Sequence, residues 1–372
     1  MAKNSPPVQV TVYADSNGTH LHQIFTGLDL LERSGEINLK LRPVSRYTQG
    51  RPNRQFLALK AQVGPSGRVA IFDMQDAGDI GLPESLDKCD LYYKRSYNEN
   101  FHENLNDDQR SKIRPFGFNY QVARKNRWLL INRLLMEFVA RPFNPFKSKN
   151  NFHLHNVKEL IDLNFSQRKK IMPDHKELRP EVSDKKYSVL FICRLWDPEG
   201  LSEENREDAR KVNESRIEII RDLGARLGDR FLGGIQRTQY AEKQVPDLII
   251  KDKKFTSRDN YLKLVRQSEI VISSSGLLGS TGWKFGEYVA LGKAIISEPL
   301  QSEVPGGFNV GTHYLEFHTP SQCVKIVDQL LGDGELRQKL EDNVSKYFWE
   351  YLEPENLMRD IINELIGPVK VK

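Results

Sequence analysis

The chain has 372 residues, 28% charged and 38% hydrophobic, with a formal net charge of +5. That length holds two α/β domains with separate cores, and the composition speaks against a disordered chain. No apolar run approaches the roughly 18–20 residues of a membrane span, the start Met1-Ala-Lys-Asn-Ser-Pro-Pro7 lacks an apolar signal core, and three widely spaced cysteines, Cys89, Cys193 and Cys323, speak against a disulfide framework or a structural zinc site. A cytoplasmic protein is expected.

Val8–Ala14 alternates apolar and polar residues as a strand does, and a polar glycine loop, Asp15–His22, leads into an amphipathic helix through Leu31. Strand, loop and helix in that order open a doubly wound α/β domain. Further strands are predicted at Leu39–Val44, Val69–Phe72 and Leu91–Tyr93. Ligands of open α/β sheets gather beyond the carboxyl ends of the strands, which makes Asp15, His20, His22, Asp73 and Asp76 candidate mouth residues. Each has a structural alternative: Asp15 as a helix cap, the histidines in solvent, and Asp73 or Asp76 in ion pairs with Lys94 or Arg95.

Residues 124–150 carry seven cations (Arg124, Lys125, Arg127, Arg133, Arg141, Lys147, Lys149) against Glu137, so the basicity of the chain is local. Trp128-Leu-Leu-Ile and Leu134–Val139 interleave with them. Such a segment suits an anionic membrane surface, with the cytoplasmic face of a membrane as a peripheral location; a nucleic-acid surface or an ordinary solvated helix face are the other readings.

Tyr187–Trp196 reads as a buried parallel strand with Arg194 at its carboxyl end. Asp197–Asn213, dense in charge and without apolar rhythm, is expected to be an exposed loop. Helical periodicity returns at Arg216–Leu223, strands are predicted at Phe231-Leu-Gly-Gly and Leu248-Ile-Ile, and the Tyr261–Arg266 helix precedes a strand at Ile270-Val-Ile-Ser.

The most informative stretch follows. Ser273-Ser-Ser-Gly-Leu-Leu-Gly-Ser-Thr-Gly-Trp-Lys-Phe-Gly-Glu287 reads as a strand end, a glycine-rich loop and a helix starting near Trp283, and Lys293–Ser297 as the next strand. Gly276, Gly279 and Gly282 let backbone approach a ligand, and a helix start aims N–H groups at an anion. A second glycine loop, Gly306-Gly-Phe-Asn-Val-Gly311, comes next, after Glu303. The closing segment Glu335–Leu365 is helical, broken after the Tyr347–Leu352 aromatic cluster at Pro354.

From Arg194 to Gly311 this pattern resembles the donor half of the GT-B glycosyltransferases. The resemblance implies two Rossmann-like α/β domains facing across a cleft: residues 1–172 on the acceptor side, 173–372 on the donor side, with the last helices, 346–372, crossing back. It implies a nucleotide-sugar donor, a glycan or lipid-linked hydroxyl acceptor in cell-surface polysaccharide or glycolipid synthesis, and no required metal. Diphosphate would meet Arg194, Gly279, Ser280, Thr281, Gly282, Trp283 and Lys284, and ribose would meet Glu287. The retaining group of the family carries two glutamates eight positions apart; the second matches Glu287, while Gly279 holds the place of the first. Glu199 likewise replaces a usual lysine, so Lys284, Lys251, Lys253 or Lys254 is left to supply that cation, with Lys254 the choice among the last three. An inverting reaction needs a general base, for which Asp76 and His20 are the candidates. A nucleotide-sugar epimerase of the same fold, a DNA-modifying glycosyltransferase and a non-catalytic nucleotide-binding module are the alternatives.

Overall fold

The computed structural model describes residues 7–13, 19–42, 47, 55–63, 66–122, 173–181 and 184–367. Asp15 and the basic segment 124–150 lie outside the described residues. The chain divides into two compact units, residues 1–177 with 350–372, and residues 178–349.

The first unit is built on six strands: β1 (Val8–Tyr13), β2 (Ile37–Arg42), β3 (Phe56–Val63), β4 (Ser66–Asp73), β5 (Leu91–Lys94) and β6 (Ile113–Pro115), in the order β2-β1-β3-β4-β5-β6. Helix α1 (His22–Ser34) joins β1 to β2, which pair in parallel with Val10 opposite Leu39. The sheet departs from a doubly wound pattern at one strand: β3 runs antiparallel to both neighbours, with Val10 opposite Ala61 and Leu57 opposite Phe72. The signal for that strand is two apolar runs separated by Gly64-Pro65, a hairpin pattern. The short α2 (Asp107–Lys112) is closed by a capping box between Asn106 and Gln109.

The second unit contains β7 (Tyr187–Cys193), α3 (Glu203–Leu227), β8 (Phe231–Ile235), α4 (Gln239–Gln244), α5 (Arg258–Arg266), β9 (Ser268–Ser273), α6 (Trp283–Ala290), β10 (Ala294–Ser297), β11 (Tyr314–Glu316), α7 (Pro320–Gly332) and α8 (Gly334–Tyr347). Its sheet is parallel throughout, in the order β11-β10-β9-β7-β8. From β7 the chain goes first to β8 on one side, then returns to β9 on the other. Strand order therefore reverses between β7 and β9, and the carboxyl ends of these two strands bound the crevice where open α/β sheets take ligands. Val189, Phe191, Ile270 and Ile272 bury the sheet under α3 and α7, which contribute Ile219, Leu223, Val324 and Val327 to the same core.

Two expectations are corrected here. Most of Asp197–Asn213 is not a loop; from Glu203 it forms the first half of the 25-residue α3. Its charges pair at helical spacing, Arg206 with Glu203 and both Arg210 and Lys211 with Glu207, while Ala209, Asn213 and Arg216 turn inward. Leu248-Ile-Ile is not a full strand: Pro246 opens a 3-10 turn through Leu248, and only Ile249 bridges to Ile235.

Helix α8 ends at Tyr347 in a five-residue wide turn, Phe348–Leu352. Helix α9 (Pro354–Ile366) then belongs to the first unit, where Glu353 caps it by accepting from Glu355 N at 2.8 Å and Asn356 N at 2.9 Å. It packs on α1 so closely that a Cβ on Gly27 would collide with the Pro354 carbonyl.

Candidate functional site

A cavity of about 360 Å³ lies in the second unit at the carboxyl ends of β7 and β9. Ile192, Cys193, Arg194 and Trp196 line it from β7, Ser273, Ser274 and Gly276 from β9, and Gly282 to Phe285 from the start of α6. Four lining side chains are cationic, Arg194, Arg216, Arg258 and Lys284, and none of the lining residues is Asp or Glu.

Arg216 comes from α3 and is buried. Its Nε donates to Ser274 Oγ at 2.8 Å, one terminal nitrogen to the Ser275 carbonyl at 2.8 Å and the other to the Arg194 carbonyl, so one guanidinium fastens the β7 loop to the β9 loop. Burial pulls its pKa down. Lys284, half-buried on the first turn of α6, donates from Nζ to the Ile192 carbonyl at 2.6 Å and sits 4.8 Å from the centre of the Tyr261 ring. Burial lowers its pKa to about 8. The Arg194 guanidinium is exposed and lies 4.5 Å over the Trp196 ring. Trp196 is fixed at both backbone ends by Asn213, which accepts from its N at 2.9 Å and donates to its carbonyl at 2.7 Å.

The loop between β9 and α6 is short and folded on itself. Gly276 N donates to the Ser280 carbonyl at 2.8 Å, and Ser280 N to the Leu277 carbonyl at 3.2 Å. Gly279 sits at φ +69, where an added Cβ would also meet Gln301 at 2.5 Å, so a glycine is required there. Gly282 is the N-cap of α6 and supplies no side-chain cap.

Of the sequence candidates, Arg194, Gly282, Trp283 and Lys284 meet at the cavity, while Gly279, Ser280 and Thr281 form the adjoining loop and are not lining residues. Glu287 does not face the cavity: it is 0% exposed and ion-paired to Arg258, which takes the place at the wall. The Lys254 side chain lies outside the described residues. Arg216, Arg258, Trp196 and Gln236 are lining residues that the sequence reading missed. For Trp196 the signal was its position two residues after Arg194; Arg216 and Arg258 carried none beyond their charge.

Asp76 and His20 stand together in the first unit through Arg95, which forms an ion pair with Asp76 and donates to His20 Nδ1 at 3.2 Å. Burial, followed by the Arg95 charge, lowers the His20 pKa to about 4. An arginine can only donate, so Nδ1 accepts and the proton of the neutral ring sits on Nε2. Asp76 keeps 60% of its side chain exposed. Asp73 is no mouth residue: wholly buried, it pairs with Lys94 at 3.2 Å and accepts from Tyr92 Oη at 2.9 Å and from the backbone of Gln75 and Gly81. Its carboxylate completes a core network. His22 is also buried, on α1.

Among the described residues no group of three or more His, Cys, Asp or Glu is arranged to hold a metal ion, and no helix is long and apolar enough to cross a membrane.

No family model matches the sequence, and no curated protein matches it. Solved structures similar to it include the C-terminal domain of a glycosyl transferase group 1 family protein (LpcC) from Francisella tularensis, at 14% identity over 47% of this chain and 96% of that one, TM-score 0.31. Anabaena Alr3699/HepE in complex with UDP and glucose matches at 12% identity over 91% and 89%, TM-score 0.34. A glycosyltransferase from Rickettsia africae ESF-5 matches at 13% identity over 78% and 69%, TM-score 0.40.

Proposed function

We infer that the chain is a glycosyltransferase that binds a nucleotide diphosphate sugar in the cavity of its second unit and moves the sugar to a hydroxyl acceptor. One observation carries this reading: a cavity at the switch point of a parallel sheet lined by four cations and no carboxylate. The cluster holds one structural carboxylate, Glu287 behind Arg258, while Arg194 and Lys284 form no ion pair among the described residues, and cations gathered at a cavity without a carboxylate favour an anionic ligand. An incoming diphosphate is such a ligand. Charge growing on the leaving diphosphate during transfer would be taken up by Arg194, Lys284 and the start of α6.

The acceptor is proposed to be a growing cell-surface glycan or glycolipid, on the strength of the sequence resemblance, with the basic segment 124–150 as its contact to the cytoplasmic face of a membrane. If transfer inverts, the base is Asp76, since the ring lone pair of His20 is occupied by Arg95.

The test is the thermal shift of the protein with uridine, guanosine, adenosine, cytidine and thymidine diphosphates. A ligand at about 100 times its dissociation constant adds roughly 2.7 kcal/mol, which moves a unit of this size by about 5 °C or more. One nucleotide standing out names the base; no shift with any of the five would sink the reading. Product formation with an acceptor, followed by NMR of the new anomeric centre, separates a transferase from a binding module and inversion from retention.

A further inference from the structure

Glu287 lies on α6 one turn after Lys284, is 0% exposed, and forms an ion pair through Oε1 with a terminal nitrogen of Arg258, the first residue of α5. Beyond that contact with Arg258 the carboxylate oxygens have no hydrogen-bond partner among the described residues, and Nε and Nη2 of Arg258, both buried, have none. Arg258 reaches the cavity and Glu287 does not. Packed around the pair are Lys284, whose charge with that of Arg258 counters the upward push of burial on the Glu287 pKa, and Tyr261 and Tyr288, whose hydroxyls bond each other at 2.6 Å.

We propose that Arg258 is a phosphate-binding residue of the cavity and that Glu287 is the positioning residue that holds it there. The proposal rests on the reading of the cavity as a phosphate site. A carboxylate that gripped a ligand hydroxyl would have to line the cavity, and this one is sealed behind a guanidinium. With one terminal nitrogen of Arg258 anchored on the carboxylate, Nε and Nη2 remain as two donors in a fixed fork, the geometry that fits two oxygens of one phosphate. The anchor also removes the rotamer freedom that a long side chain would otherwise lose on binding. Glu287 thus acts on the ligand through Arg258.

Calorimetric titration with inorganic pyrophosphate, which has no ribose, and with the five nucleoside diphosphates separates the two roles. Wild-type protein binds pyrophosphate, and Arg258→Ala weakens it about 10- to 100-fold, as expected for loss of a charged hydrogen-bonded contact. Arg258→Lys restores part of that loss. Glu287→Gln weakens pyrophosphate and nucleotide by the same factor, because the displaced group serves phosphate alone. If Glu287→Gln leaves pyrophosphate untouched and weakens only the nucleotide, Glu287 holds the sugar and the proposal falls. Unchanged pyrophosphate affinity in Arg258→Ala overturns it equally. Should Glu287→Gln fail to fold by circular dichroism, the Arg258→Ala/Glu287→Leu double variant removes both buried charges; it must bind pyrophosphate as weakly as Arg258→Ala, and wild-type affinity would refute the proposal. Wild-type protein that binds none of the probes rejects the phosphate-site reading itself, a different result from any of these.

Discussion

The ammonium of Lys284 donates to the carbonyl oxygen of Ile192 at 2.6 Å, which ties the first turn of α6 to the end of β7 inside the cavity. A lysine with pKa about 8 is charged at pH 7 and neutral at pH 9.5. Phosphate binding favours the charged form, so affinity for pyrophosphate should fall as pH rises through 8, with proton uptake on binding near that pH. Calorimetry in buffers of different ionisation enthalpy measures both. Lys284→Met should weaken binding about tenfold at pH 7 and flatten the profile above it. A profile unchanged by the substitution would remove Lys284 from the site.

Arg216 has a different task despite its charge. Each of its three nitrogens already donates, to Ser274, Arg194 and Ser275, so it braces the two loops of the cavity. Arg216→Met should cost about 3 kcal/mol, since it strands buried acceptors. Urea unfolding checks this, with a shifted midpoint and an unchanged slope as the expected result.

Glycine spacing and strand rhythm made the β9, α6 and β10 series legible from the sequence, since those features depend only on local backbone freedom and burial. The cavity's other half was not. Asn213 and Arg216 point inward from α3, and the first half of that helix, whose buried face carries an amide and leads to a guanidinium, has no apolar stripe to reveal it. Glu287 was correctly placed on its helix, yet which way its carboxylate turned depended on Arg258, twenty-nine residues earlier in the chain. In the first unit, the alternatives of Asp73 with Lys94 and Asp76 with Arg95 could be named from neighbouring strand ends, and both pairs form. Their sequence pattern is the same; only burial separates Asp73, a core residue, from Asp76, an exposed one.

Close approach of α1 and α9 gives a prediction far from the cavity. Gly27 faces the Pro354 carbonyl and Met358 with no room for a side chain. Gly27→Val should destabilise the first unit by about 1–3 kcal/mol through overpacking, despite the higher helix propensity of valine. Limited proteolysis should cut near residue 353 faster in the variant, and an unchanged cleavage rate would mean that α9 can shift at little cost.

His20 supplies a pH test of the first unit. Its folded pKa, about 4, lies below the ordinary value of 6.5, because burial and the Arg95 charge both penalise the imidazolium. Between pH 6.5 and 4 the unfolded chain therefore binds a proton that the folded chain does not, and stability falls as the solution is acidified through that window. Below pH 4 both states are protonated and this loss is complete. His20→Gln, which keeps an acceptor for Arg95 without titrating, should flatten that part of the stability profile. Melting temperatures at half-unit steps from pH 7 to 4 for both proteins measure the difference. Parallel curves for the two would mean that the Arg95 guanidinium moves away and lets His20 charge freely, which would also release its Nδ1 lone pair and return the histidine to contention as the base.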